Sequence, residues 1–185
     1  LGVLSGQYIV AEGSRGLVLI DQVAAHQRVL FEHLLAALDH GDTLRQPLLL
    51  PATVDLGADD ARRLQRSMAD FGRIGFSIDH FGGNTFLVSA VPARFPAENV
   101  AALLRDILDD LQERGRVSAT ADEVRLAQVA CRHAVRPKDT LSHAEISGLI
   151  RDLAKADMPY TCPNGQPVMV NVPFAEISKR FGRKE

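Results

Sequence analysis

The order in which hydrophobic periodicities follow one another constrains this chain more than any single residue does. Residues 7–12 (QYIVAE) and 17–21 (LVLID) are short β-prone runs on either side of Gly13-Ser14-Arg15-Gly16, whose turn-forming residues predict a hairpin. The period then changes from strand-like to helical, with Leu30, Phe31, Leu34, Leu35 and Leu38 on one stripe of a helix over residues 24–38 that Gly41 stops. Residues 46–56 read as an extended segment around two prolines. Residues 59–71 form a helix on Ala61, Leu64, Met68 and Phe71. A second hairpin, 75–79 with 85–91, turns at Gly82-Gly83-Asn84.

Three more helices and one strand complete the pattern. Leu103, Leu104, Ile107, Leu108 and Leu111 set a helix over 100–111. Capping boxes at Thr120/Glu123 and Ser142/Glu145 open two others, and residues 167–172 are a last strand before a short helix on Phe174, Ile177 and Phe181. The order ββα, βαββα, ααβα does not alternate as a doubly wound sheet would, so the expected class is α+β. The middle block reads as an insertion. The expectation is an inner, mixed-sheet subdomain of residues 1–45 and 119–185 built from both chain ends, with an outer α/β subdomain of residues 46–118 inserted into it.

At 185 residues and 46% hydrophobic the chain can bury a substantial core, which excludes a disordered chain. A net charge of -2 gives no overall attraction to a phosphate backbone, so any nucleic-acid contact must be local. Arg132, Arg136 and Lys138, and Lys179, Arg180, Arg183 and Lys184, are the basic clusters, and without interleaved aromatics they read as solvated helix ends. Two cysteines make no disulfide framework and fit a reducing cytoplasm. No apolar run approaches the ~20 residues of a membrane span. The opening Leu1-Gly2-Val3 reads as the cut edge of a longer protein.

Residues 21–32, DQVAAHQRVLFE, resemble the motif of endonuclease-type MutL C-terminal domains: Asp-Gln-His-Ala, two free positions, Glu, four free positions, Glu. The strand pair before it, the stretch Ala130-Cys131-Arg132-His133-Ala134-Val135-Arg136 and the loop Cys162-Pro163-Asn164-Gly165-Gln166-Pro167 resemble that family in the same order, over essentially the whole chain. The resemblance implies a module that joins two MutL chains and tethers their ATPase domains. It also implies a metal cluster of imidazole, thiolate and carboxylate that activates water or neutralises phosphate charge.

This sequence keeps Asp21, Cys131 and Cys162 as candidate metal ligands and Glu32 at the final acidic position. It has Val23 where the family has histidine, Gln27 where it has glutamate and Asn164 where it has the loop histidine. Valine has no lone pair, and amide oxygens are poor ligands for zinc or manganese. The expectation is therefore a relic site, with Asp21, Gln27 and Glu32 as its remnants and no cofactor, or zinc or manganese held weakly. His26 and His133 lie near the altered positions, but His26 is turned ~100° from Gln27 and His133 ~200° from Cys131 around their helices. The alternatives are a working metal-dependent nicking endonuclease with a remodelled site and, third, an unrelated metal-sensing domain.

A second element, Gln46-Pro47-Leu48-Leu49-Leu50-Pro51, resembles the Gln-x-x-Leu-x-Pro segment through which MutL proteins contact the DNA polymerase sliding clamp, implying Gln46, Leu49 and Pro51 as contacts. An ordinary edge strand is the competing reading. The expected homodimer interface uses the sheet and the first and last helices of the inner subdomain, with Leu30, Leu34, Phe174 and Ile177 as its apolar candidates. MutS and the sliding clamp are the pathway partners that the resemblance implies, with DNA reached through the full-length protein.

Overall fold

The computed structural model describes residues 2–41, 44–113, 119–135 and 141–183. Seven strands and six helices are found in it. Their backbone contacts divide into two compact units, Leu1–Val29 with Arg136–Glu185, and Leu30–Val135.

The first unit is built on a four-stranded sheet of order β1-β2-β3-β7. Its strands are β1 (Gly2–Leu4), β2 (Tyr8–Gly13), β3 (Gly16–Asp21) and β7 (Met169–Pro173). Every pairing is antiparallel, so the mixed sheet expected of this unit is not formed; β7 enters against β3 from the opposite end. The expected hairpin joins β2 to β3 with Tyr8 opposite Asp21 and Gly13 opposite Gly16. Gly16 is required there for space: a Cβ would clash with the Val172 carbonyl and lie 2.8 Å from Pro173 Cα.

One face of this sheet makes a core. Ile9 and Ile20 pack with Ala24, Ala25 and Val29 of helix α1 (Gln22–His40), with Ile146, Leu149 and Leu153 of α5 (His143–Leu153), and with Cys162 and Val168. The capping box at the start of α5 is present, with Ser142 Oγ accepting from Glu145 N–H and the Glu145 carboxylate accepting from Ser142 N–H at 2.8 Å. The Thr120 side chain of the other expected box lies outside the described residues, whereas its Glu123 is buried. After β7 the chain closes with α6 (Phe174–Arg180), a helix with no buried residue.

The second unit carries a three-stranded antiparallel sheet, β4-β6-β5: β4 (Arg45–Asp55), β5 (Ser77–Gly82) and β6 (Thr85–Pro92). With it are α2 (Ala58–Ile74), α3 (Val100–Glu113) and α4 (Ala119–Ala134). Its core gathers Leu64, Phe71, Phe76, Phe86, Leu104 and Ile107, all buried, with Phe71 and Phe76 meeting edge to face at 5.4 Å. Helix α2 ends at Gly75, whose φ of 109° is the left-handed conformation that glycine adopts without strain.

The unit limits differ from those expected at residues 45/46 and 118/119. Helix α4 joins the middle unit because Leu126, Ala127, Val129, Ala130 and Cys131 are buried in its core. Two ion pairs fix the same helix: Arg73 of α2 holds Glu123, and Asp110 of α3, 9% exposed, accepts from Arg132 and from His133 Nε2–H, both at 3.1 Å.

Candidate functional site

Asp21 ends β3 and begins α1, and its carboxylate already has a structural task. Oδ1 accepts from the Ala24 N–H at 2.8 Å, the contact by which an aspartate caps a helix N-terminus. Its own N–H donates to the Val168 carbonyl at 2.9 Å, and that of Gln22 donates to Gln7 at 3.0 Å, so the strand-to-helix junction is stitched from both sides. Of the altered positions, Val23 is half-buried, Gln27 is buried and Asn164 is exposed.

The loop that carries Cys162 is a tight turn. Cys162 N–H donates to the Gln166 carbonyl at 2.8 Å and its carbonyl accepts from Gly165 at 2.9 Å, Gly165 having a φ of 81°. The thiol is buried in the core of the first unit. Cys131, equally buried, belongs to the core of the second unit, within whose limits the partly buried Glu32 also falls. Both cysteines are buried and packed among apolar side chains, where cysteine serves as a small hydrophobe.

His26 is half-buried, and its Nδ1–H donates to the Gln22 carbonyl one turn back at 2.9 Å. His133 is committed to Asp110. Among the described residues, no group of three or more His, Cys, Asp and Glu side chains is placed to share a metal ion. The donors present do not fit a tightly held zinc or manganese ion, which needs three or four converging imidazole, thiolate or carboxylate groups.

A residue outside the expected set ties the site together. Arg28 of α1 is buried, and its Nε–H donates to the Thr161 carbonyl at 2.7 Å, beside Cys162. The signal in the sequence was a cation four residues after Ala24 and one before Val29, inside the buried stripe.

The element resembling a clamp-binding segment lies on β4, an edge strand of its sheet. Gln46, Leu49 and Pro51 are all exposed, Leu49 completely so. The pairing with β6 is broken there: Pro47 faces Ala90 and Ala52 faces Val88, so the residues between them leave the ladder.

The four interface candidates separate. Leu30 and Leu34 are 6% and 4% exposed within the core of the second unit, because the helical stripe they share with Phe31 faces that core; they offer no apolar surface and the expectation for them is corrected. Phe174 is 44% exposed and Ile177 half-buried.

The sequence reading places the interface on the sheet of this unit without naming its residues, and the strand register supplies them. Alternation puts Leu4, Tyr8, Val10, Leu19, Val170 and Val172 on the side opposite Ile9 and Ile20. Val10, Leu19 and Val170 form one continuous rung, Leu17 and Val172 another, and all six are at least partly exposed. Of the basic clusters, Arg132 pairs with Asp110 and Arg180 with Glu176, whereas Arg136, Lys138 and Lys184 lie outside the described residues. No helix among the described residues is long and apolar enough to cross a membrane.

Comparison with known proteins places these features. The family model described as the MutL C terminal dimerisation domain matches residues 1–141. The DNA mismatch repair protein MutL of Symbiobacterium thermophilum is 40% identical over 188 residues, covering 99% of this chain and 30% of the relative. Those of Citrifermentans bemidjiense and Paramagnetospirillum magneticum are 38% and 40% identical, over 99% and 98% of this chain and 29% and 30% of their own. The chain thus spans less than a third of the length of these relatives. On the extent of the family match and the identity along nearly its whole length, this chain belongs to the MutL C-terminal dimerisation domain family.

Proposed function

We propose that this domain joins two copies of its own chain in DNA mismatch repair, and that it does so without cutting DNA. The observation that carries the pairing is the apolar outer face of the β1-β2-β3-β7 sheet, half-exposed along whole rungs such as Val10-Leu19-Val170. A single chain would leave this face in water, at a cost of about 25 cal/mol for each Å². Packing the same face of a second copy against it is a self-complementary, two-fold solution. Phe174, which follows β7 directly, and Ile177 extend the apolar area. An obligate pair would bury over ~2,000 Å². In a longer protein such a junction tethers the ATPase domains of two chains, in the cytoplasm, with MutS as a pathway partner.

The metal site is a relic in this reading. Asp21 is retained as a helix cap and Cys131 and Cys162 as core residues, while Val23, Gln27 and Asn164 supply no strong ligand. The second function proposed is docking to the sliding clamp through Gln46, Leu49 and Pro51. Their full display on a broken edge strand, where an ordinary strand would keep its ladder, supports it. Substituting Val170 by aspartate tests the pairing: sedimentation equilibrium is expected to show dimers for the parent chain and folded monomers for the variant. A parent chain that stays monomeric at micromolar concentration overturns it.

A further inference from the structure

Helix α2 turns one side to water, and that side carries arginines at a helical spacing. Arg62, Arg66, Ala69 and Arg73 fall within ~60° of one another around the axis, over ~16 Å of its length. All four are exposed. Arg45, on the strand that precedes α2, extends the row: its Nη2–H donates to the Gly72 carbonyl at 3.0 Å and its Nη1–H to Ser77 Oγ at 3.2 Å. Arg45 and Arg73 line an open groove of about 390 Å³, together with the small residues Gly41, Ala69 and Gly72.

The charges on this row are only partly answered. Arg62 pairs with Asp59 and Arg73 with Glu123, but the two arginine side chains stay 63% and 57% exposed, and ion pairs in water are weak enough to exchange. Arg66 makes no ion pair among the described residues, and both partners of Arg45 are uncharged. Arg45 also covers the carbonyl end of α2, whose partial negative charge would otherwise repel an anion in the groove.

We infer that this row is a contact surface for the phosphate backbone of duplex DNA. Charge complementarity selects that occupant. Every lysine-or-arginine position of the second unit holds arginine, whose guanidinium fork matches two oxygens of one phosphate. Cations repeated along a helix suit a ligand whose charges also repeat along a line, one per ~3.4 Å of axis on each strand. Ala69 and Gly72 add no bulk between the guanidiniums, so a backbone can lie close. The surface shares no residue with the outer sheet face of the first unit or with the candidate metal site.

The test is fluorescence anisotropy of a labelled DNA duplex titrated with the whole 185-residue chain at several salt concentrations. The samples are the parent, Arg45→Ala, Arg66→Ala and, as a control that removes the same charge from α5, Arg151→Ala. Arg66 and Arg151 are exposed, so circular dichroism melts of their variants are expected to match the parent. The expected result is binding that weakens as salt rises, with affinity lower by about threefold or more for Arg45→Ala and Arg66→Ala. The slope of log affinity against log salt is expected to be shallower by about one for each, and Arg151→Ala to bind like the parent. A parent chain that does not bind the duplex at low salt overturns the inference, as does an Arg66→Ala variant indistinguishable from Arg151→Ala. Tighter binding of a labelled polyglutamate than of the duplex would assign the row to an acidic protein and overturn it too.

Discussion

Arg28 and Thr161 are 133 positions apart, and the Nε–H of the first donates to the carbonyl of the second at 2.7 Å. One buried side chain thereby fastens the first helix to the loop that carries Cys162.

Arg28→Ala is expected to lower unfolding free energy by about 1.5–3 kcal/mol, since it removes a part-buried hydrogen bond from a charged group. Urea denaturation checks this. A loss below ~0.5 kcal/mol would show that Arg28 is incidental to the fold.

Asp21 can be assigned by comparing two substitutions. As a helix cap it tolerates asparagine, which offers the same oxygen, but not alanine, so Asp21→Ala is expected to cost about 1 kcal/mol more than Asp21→Asn. Thermal melts with and without added manganese measure it. Equal losses in both variants, arising only when manganese is present, would assign the carboxylate to a metal.

Gly16→Ala probes the pairing of β3 with β7. Its new methyl would meet the backbone at Val172 and Pro173, which cannot retreat as a flexible side chain can, and the expected loss is about 1–3 kcal/mol. Hydrogen exchange at Leu19 and Val170 is expected to quicken with it, because those residues pair in the same ladder.

The reading of the metal site as a relic predicts that supercoiled plasmid is not nicked by the chain with manganese and sliding clamp. Nicking that disappears in Asp21→Asn would instead establish an active, remodelled site.

Helix existence was legible because apolar spacing reports a buried stripe directly: Ala61, Leu64 and Phe71 are buried on α2 as their spacing requires. Partners were less legible. The stripe of Leu30 and Leu34 shows that one side of α1 is apolar, but not that it closes the core of the middle unit; the same holds for α4 and Cys131. Strand β1 was missed because its three residues are strand only through pairing with Tyr8, Ile9 and Val10. The sheet was expected at the interface, but its outward residues were not legible: residues 17–21 read as a continuous apolar run, and only the register separates Leu17 and Leu19 from the buried Ile20. At the candidate site, the residue types at positions 21, 23 and 27 were legible, whereas Arg28 required a contact across the chain to be seen.

Light scattering after size-exclusion chromatography tests the central claim most directly, using the parent chain and Val170→Asp at micromolar concentration. The account predicts a mass of twice 20.1 kDa for the parent and 20.1 kDa, with an unchanged circular dichroism spectrum, for the variant. A parent chain at 20.1 kDa, or a Val170→Asp variant that stays dimeric, would contradict pairing through this sheet face.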